Sequence, residues 1–336
     1  NSGGTISADA TLTLLPSPEP VLTVTNGLVT HLKFDGDYSD ASGNGVNGTP
    51  NGTPYFTNGP VGGAVYIKNL KDGSRNDYVS LGYPNVLKFG DEKVGTTGSD
   101  FTVSFWVHLI AQADDQAFIS QKDWNSSNNR GWGIFSQGGS VIRNQITGPN
   151  GSSDKFSKNP APGLNDGKWH LLTVVVKRGS TVDTYSDGSL LQSDAIATKG
   201  NIDTDDLGFA VNIGQDGTGK YTDGGAAEIE MVMDDLGIWR RALTADEIAA
   251  IYLRGTNGKS LETVPSAGSA PVVSAPTLAG GSVTLNWAGG VGPFKVQVKT
   301  ALNAATWTDL TTTTSHTYTT PAGGAASYYR VVDTGL

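Results

Sequence analysis

Asn-Gly and Asp-Gly pairs recur along this chain, at Asn47, Asn51, Asp72, Asp166 and Asp187, and they divide it into short segments of alternating apolar and polar residues. Such pairs supply the positive backbone angles of tight hairpins, and alternation with a period of two marks a half-buried strand. A chain punctuated this often has little room for helices. Gly accounts for 45 of 336 residues and only 16% are charged, which points the same way. The expected fold class is all-β, built from sandwiches.

The length suits two or three domains. Pro16, Pro18 and Pro20 form a stiff spacer, and a second stretch rich in Pro, Ser, Ala and Val follows Leu261. These features place an N-terminal strand at 1–15, a linker and lead-in strand at 16–26, a large block at 27–261, a linker at 262–270 and a smaller module at 271–336. Within the block, Phe101 to Leu109 puts Phe101, Val103, Phe105 and Val107 on one face. Trp169 to Lys177 reads as a strand, and Thr181 to Leu191 as a hairpin centred on Asp187 and Gly188. One short helix is expected, with Thr244 and Glu247 as a capping box, Ile248, Ile251 and Tyr252 as its apolar stripe, and Gly255 as its stop.

A net charge of -9 and the absence of a basic stripe argue against nucleic acid. Cysteine is absent, which removes disulfides and thiol chemistry together. No apolar run approaches the roughly 20 residues of a membrane helix. The first residue is Asn rather than Met and no signal-peptide core is visible, so the expectation is the processed form of an exported protein at the cell surface or outside it.

Five segments resemble the laminin-G-like or concanavalin A-like lectin/glucanase domains of bacterial surface proteins. They are Leu32 to Asn44, Phe101 to Val107, Asp166 to Val174, Tyr185 to Gly188, and Met233 to Leu243 with the capped helix after it. The resemblance implies a jelly-roll sandwich. Residues 271–336 resemble a fibronectin type III or immunoglobulin-like sandwich, with strands at Ser282 to Trp287, Phe294 to Thr300, Thr306 to Leu310, Ser315 to Thr319 and Ser327 to Asp333, and with its last strand missing.

The strongest chemical constellation is the acidic loop Asp35, Asp37, Asp40 and Asn44, with Asp234 and Asp235 far along the chain. Hard oxygen donors at mixed spacing suit Ca²⁺, and the resemblance implies a structural calcium tying the first strand to the last at Asp35 and Asp234. The alternative to calcium is that these carboxylates cap turns. For a glycan, Trp124, Asn125, Asn128, Asn129 and Arg130 combine an aromatic ring with amides that bond hydroxyls, whereas Trp132 fits a strand core. The loop Gln215 to Gly225 is a second candidate. Glu228, Glu230 and Asp234 approach the Glu-x-Asp-x-x-Glu pattern of related glucanases, but Glu stands where Asp is needed and Met233 where the acid is needed. No catalysis is expected. His31, His108, His170 and His316 show no metal-ligand spacing, and His170 reads as a packed residue of its strand.

The two ends complement each other. Ile6, Ala8, Ala10, Leu12 and Leu14 alternate as a half-buried strand, of the kind the C-terminal module lacks. That strand could come from another copy of the chain, fold back within one chain, or belong to a neighbouring module of a longer protein. The expected function is therefore a non-enzymatic extracellular adhesive protein whose copies polymerise head to tail by donor-strand complementation, displaying a lectin-like domain towards polysaccharide. The alternative is a calcium-dependent carbohydrate-binding region of a larger secreted hydrolase or adhesin.

Overall fold

The computed structural model describes residues 24–90, 100–111, 114–124, 129–138, 141–222, 225–261, 271–274, 276–288, 293–301, 304, 306–322 and 327–333. The expected strand with Ile6, Ala8, Ala10, Leu12 and Leu14 lies outside the described residues, as do Asn125 and Asn128. Contacts divide the chain into two units, of which one is Thr23–Thr263 and the other contains Val264–Leu336.

In the first unit the strands are β1 Leu28–Leu32, β2 Thr49–Asn51, β3 Tyr55–Gly59, β4 Gly62–Asn69 and β5 Tyr78–Gly82. Next come β6 Phe101–Leu109, β7 Ala117–Ser120, β8 Gly131–Gln137, β9 Val141–Thr147 and β10 Ser153–Lys158. Then follow β11 His170–Lys177, β12 Thr181–Ser186, β13 Ser189–Ala195, β14 Val211–Ile213, β15 Ile229–Trp239 and the helix α1 Ala245–Thr256. They build two antiparallel sheets, ordered β13-β12-β11-β6-β15-β4-β3, with β1 also paired to β15, and β10-β9-β8-β7-β14-β5-β2. Alternation decides which sides meet. Phe101, Val103, Phe105 and Val107 of β6 pack with Val79 and Leu81 of β5, Trp132 and Ile134 of β8, and Val211 and Ile213 of β14 in one core.

The other side of β6 is also covered, because α1 lies on it. Thr244 and Glu247 form the capping box, and Arg241 clamps both Glu247 oxygens at 2.8 and 2.7 Å. Gly255 does not stop the helix, which runs to Thr256 and is capped at Asn257. A Cβ at Gly255 would lie 2.5 Å from the Trp106 indole, so this glycine lets the helix approach β6, with Tyr252 stacked on Trp106. At the β12–β13 hairpin both Asp187 and Gly188 have positive φ, 51° and 77°, as a two-residue turn of type I′ requires.

His170 is buried beside that turn, with Nδ1 2.8 Å from Asp187 and Nε2 3.0 Å from Asp166. The hydrogen bond with Asp187 is the main force raising its pKa, burial opposes it, and the bond with Asp166 adds to the rise. A histidine whose folded pKa is raised contributes stability that is complete below its unfolded value, about 6.5, and lost as pH rises through the folded one. His170→Gln is expected to lower stability by about 1–2 kcal/mol near pH 6, with the loss shrinking towards pH 8. Urea denaturation at the two pH values measures it, and an equal loss at both would show that His170 acts by packing alone.

The second unit holds β16 Val272–Val273, β17 Thr277–Ala279, β18 Ser282–Ala288, β19 Phe294–Lys299, β20 Thr308–Thr313, β21 Thr317–Pro321 and β22 Tyr328–Asp333. In one sheet β18 pairs with β16, β17 and β21; the other is ordered β20-β19-β22. Leu285 and Trp287 of β18 meet Phe294 and Val296 of β19 in a small core. β20 and β21 begin two residues later than the sequence suggests, because their Thr tracts carry no apolar alternation and pairing with β19 and β18 sets the register.

Candidate functional site

The acidic residues gather where β15 changes partners. Ile229 to Met233 pair with β4 and Leu236 to Trp239 pair with β1, with a bulge on the β6 side between Asp234 and Gly237 and a positive φ of 47° at Asp235. The switch splits the sheet, so backbone groups near it lose ladder partners and must find others. Carboxylates supply them. Asp234 Oδ2 accepts from Val61 N–H at 2.9 Å, Asp35 Oδ1 from Gly63 N–H at 2.5 Å, and Asp235 Oδ2 from Leu261 N–H at 3.0 Å. Asp40 accepts from the N–H groups of His31, Ser42 and Val46; burial alone would raise its pKa, but these bonds hold it below the usual carboxylate value.

These partners separate the six expected calcium ligands. Asp37 takes Ser39 N–H, Asp40 is occupied as above, and the Asn44 amide donates to Leu28 O and Ser42 Oγ. Asp235 bonds His31 Nε2 at 2.6 Å and Ser260 Oγ at 2.7 Å. Ser260, His31 and Asp235 thus meet, but Ser260 donates to the aspartate and both oxygens face the same histidine nitrogen, so the serine has no separate base. Asp35 and Asp234 converge on the β3–β4 turn, where a Cβ at Gly62 would collide with Asp35 and one at Gly59 with Asp234. Asp234 is fully buried, and its Oδ1 has no hydrogen-bond partner among the described residues. Burial first, and then the charges of Asp235 and Asp35, push its carboxyl up to about 8. Among the described residues no three His, Asp or Glu side chains converge as a metal cluster. A cation here would be held by Asp234 Oδ1 and Asp35; the orphaned buried oxygen fits that role.

Trp124 is not a platform for a ligand on its own. It is 7% exposed, stacks on Phe135 at 3.7 Å, and donates its indole N–H to Asp115. The Asn129 amide bonds Asp123 at 2.6 Å, and Arg130 pairs with Asp206.

A groove of about 420 Å³ opens elsewhere, on the outer side of the seven-stranded sheet. Its floor is the outward row of β5, Tyr78, Ser80 and Gly82, between the buried Val79 and Leu81. Asn47, Thr49 and Asn51 form one wall, and Gly208, Ala210, Gly217 and Thr218 the other, so part of the Gln215 to Gly225 loop does line a cavity. Tyr83 is 48% exposed and held by its hydroxyl, which donates to Gly208 O at 2.8 Å. Asn212 projects from β14; its amide donates to Asp216 O at 2.7 Å, while its buried Oδ1 has no partner among the described residues. No residue of the lining is charged. Hydroxyls, amides and two tyrosine rings can therefore bond or stack on a neutral polar ligand. The sequence signal for this site, Tyr78-Val79-Ser80-Leu81-Gly82, is an ordinary strand alternation until the outward side is known to be open.

The sequence profile of the concanavalin A-like lectin/glucanases superfamily matches residues 72–249, more than half of the chain. The chain belongs to this superfamily. Solved structures agree on the jelly-roll fold. The binding domain of Paraclostridial Mosquitocidal Protein 1 has a TM-score of 0.52 at 15% identity, covering 84% of this chain and 67% of that one. The binding domain of Botulinum neurotoxin DC, solved in complex with rat synaptotagmin II, has a TM-score of 0.51 at 14% identity, covering 91% and 74%. The Botulinum neurotoxin serotype G binding domain has a TM-score of 0.50 at 15% identity, covering 87% and 72%. No curated protein matches the sequence. No helix among the described residues is long and apolar enough to cross a membrane.

Proposed function

We propose that the jelly roll is a non-catalytic, carbohydrate-binding domain of an extracellular surface protein, and that it holds a neutral glycan in the groove over β5 and β14. The observation that carries this is the groove itself, an uncharged cavity of about 420 Å³ whose floor presents Tyr78 and Ser80. Tyrosine rings stack on the apolar face of a sugar, and uncharged hydroxyls and amides bond its hydroxyl groups. Lectin-like members of the superfamily and the binding domains of similar fold support a binding role. Glu230 supports it too, since its carboxylate is engaged by Tyr66 Oη and Lys68 Nζ at 2.6 and 2.7 Å. Asn212→Ala and Tyr78→Ala are each expected to weaken glycan binding at least tenfold, about 1.4 kcal/mol, with circular dichroism unchanged. Calorimetric titration with glycans that score on a neutral array checks this; no neutral binder, or full affinity in both variants, would remove the proposal. The same reading includes a structural calcium at Asp35 and Asp234.

A second reading has one observation behind it. Among the described residues β22 pairs with β19 alone, and its Tyr329 and Val331 are only half-buried against the core. An open edge with apolar inward residues accepts a further strand. The donor in this reading is the segment carrying Ile6, Ala8, Ala10, Leu12 and Leu14 from another copy, which joins copies head to tail into a filament.

A further inference from the structure

The far end of the groove's own sheet face carries cations that the groove does not use. Cross-strand pairs run from Thr49 to Ser80, Asn212, Ser120, Gly133, Gln145 and finally Lys155. Residues opposite one another in a ladder share a face, so Lys155 of β10 looks out of the same side as Ser80. Six interstrand steps of roughly 4.8 Å separate Lys155 from Thr49 by about 29 Å. Arg143 of β9 lies two residues from Gln145 and is a diagonal neighbour of Lys155, roughly 7–8 Å away along the backbone.

Both surround the stacked Trp124 and Phe135. Lys155 Nζ is 5.6 Å from the centre of the Trp124 ring, and Phe135 is the cross-strand partner of Arg143. Lys122 Nζ, wholly buried, approaches the same indole at 5.9 Å and donates to Asn129 O at 2.8 Å. Neither Lys155 nor Arg143 forms an ion pair among the described residues; Arg143 donates to Ser157 Oγ at 3.0 Å. Their repulsion is felt locally. Burial first, and then Arg143, lowers the Lys155 pKa against the opposing charge of Asp115; burial first, and then Lys155, lowers Lys122 to about 8 against Asp123 and Asp216. In a chain of net charge -9 with 32 acidic residues, two accessible cations share one corner, and Asp115, the acid whose charge reaches Lys155, already accepts from Trp124 Nε1 and Tyr221 Oη.

We infer that this corner, Lys155 and Arg143 beside the Trp124 and Phe135 rings, is a second saccharide subsite that selects a sugar bearing a carboxylate or sulfate. The inference rests on the proposed carbohydrate role of this sheet face and adds acidic polysaccharide to its ligands. The planar guanidinium of Arg143 matches a carboxylate or sulfate with two parallel hydrogen bonds, and Lys155 adds a point charge.

The test is a titration of the whole chain with four probes of matched length: an oligogalacturonate, a sulfated oligosaccharide, a neutral glycan that binds the wild type, and a single-stranded oligonucleotide. The wild type is expected to bind at least one acidic glycan tenfold or more tightly than the neutral one, with a preference that shrinks as salt is added. Lys155→Glu combined with Arg143→Glu should abolish that preference and leave neutral binding intact; the milder Lys155→Gln should lose part of it. Which acidic probe wins tells carboxylate from sulfate. Unchanged acidic binding in the double variant overturns the inference, as does an oligonucleotide bound as tightly as the acidic glycan. Neutral binding lost in Asn212→Ala without any acidic preference would leave the groove standing and this corner refuted; acidic binding through Lys155 and Arg143 with no neutral binder would do the reverse.

Discussion

Asp234→Asn is expected to make the calcium-free protein more stable and the calcium-loaded protein less stable than the wild type. Asp234 is fully buried, only one of its oxygens is hydrogen-bonded among the described residues, and its neighbours Asp35 and Asp235 are also acids. With its pKa raised from 3.8 to about 8, the folded carboxyl holds at pH 7 a proton that the unfolded chain releases, and this costs roughly 4 kcal/mol. Asn keeps the acceptor for Val61 N–H and removes that cost, although its amide leaves a donor where Oδ1 had been, at about 1–3 kcal/mol. The net gain is about 2 kcal/mol, or roughly 4–8 °C in the thermal midpoint for a unit of this size. Calcium should reverse the order. A ligand at one hundred times its dissociation constant stabilises the folded state by about 2.7 kcal/mol, and the variant lacks the oxygen that would hold it. Thermal scans with chelator, calcium and magnesium check both halves. Equal midpoints of the wild type in all three, with the variant below it throughout, would reduce Asp234 to a hydrogen-bond acceptor for the β3–β4 turn.

On the strand-donation reading, removal of residues 1–15 is expected to abolish assembly and leave a monomer. The physical basis is the edge of β22, unpaired among the described residues, together with the alternation of Ile6, Ala8, Ala10, Leu12 and Leu14, which would lay apolar side chains over Tyr329 and Val331 while the backbone completes the ladder. The opposite edge, β20, is a poorer acceptor, since Thr308–Thr313 holds one apolar residue, Leu310. Sedimentation of both forms across a concentration series measures the effect, with electron microscopy of any large species. A synthetic peptide of residues 5–14 should bind the shortened chain and block assembly of the full one. Fibres formed equally well by the shortened chain would end the strand-donation reading.

Much of the jelly roll was legible because its signals are local. Phe101–Leu109 alternates over nine residues and is β6. Asp187 and Gly188 are adjacent and make the β12–β13 turn, and Thr244 and Glu247 lie within one helical turn and make the capping box. Gly255 misled for the same reason: a glycine near a helix end resembles a stop when the indole of Trp106, far along the chain, is out of view. The acidic constellation was legible as a group and not in its division. That division depends on β15 exchanging β4 for β1 at Asp234, which no spacing encodes. The groove was the least visible, since Tyr78, Ser80 and Asn212 sit in short, ordinary strands.

Taken alone, the sequence determined that the chain is all-β, where its hairpins turn, which side chains in each strand share a face, and that one capped helix closes the large domain. Only the tertiary structure decided which of those faces are covered. A period of two separates two sides of a strand but does not say which will meet another sheet, a helix or water, because that depends on pairings between residues distant in the chain. The side of β6 that carries Trp106 is covered by α1, while the side of β5 that carries Tyr78 and Ser80 is left open beside Asn212. The covered side became core; the open one became the candidate binding surface.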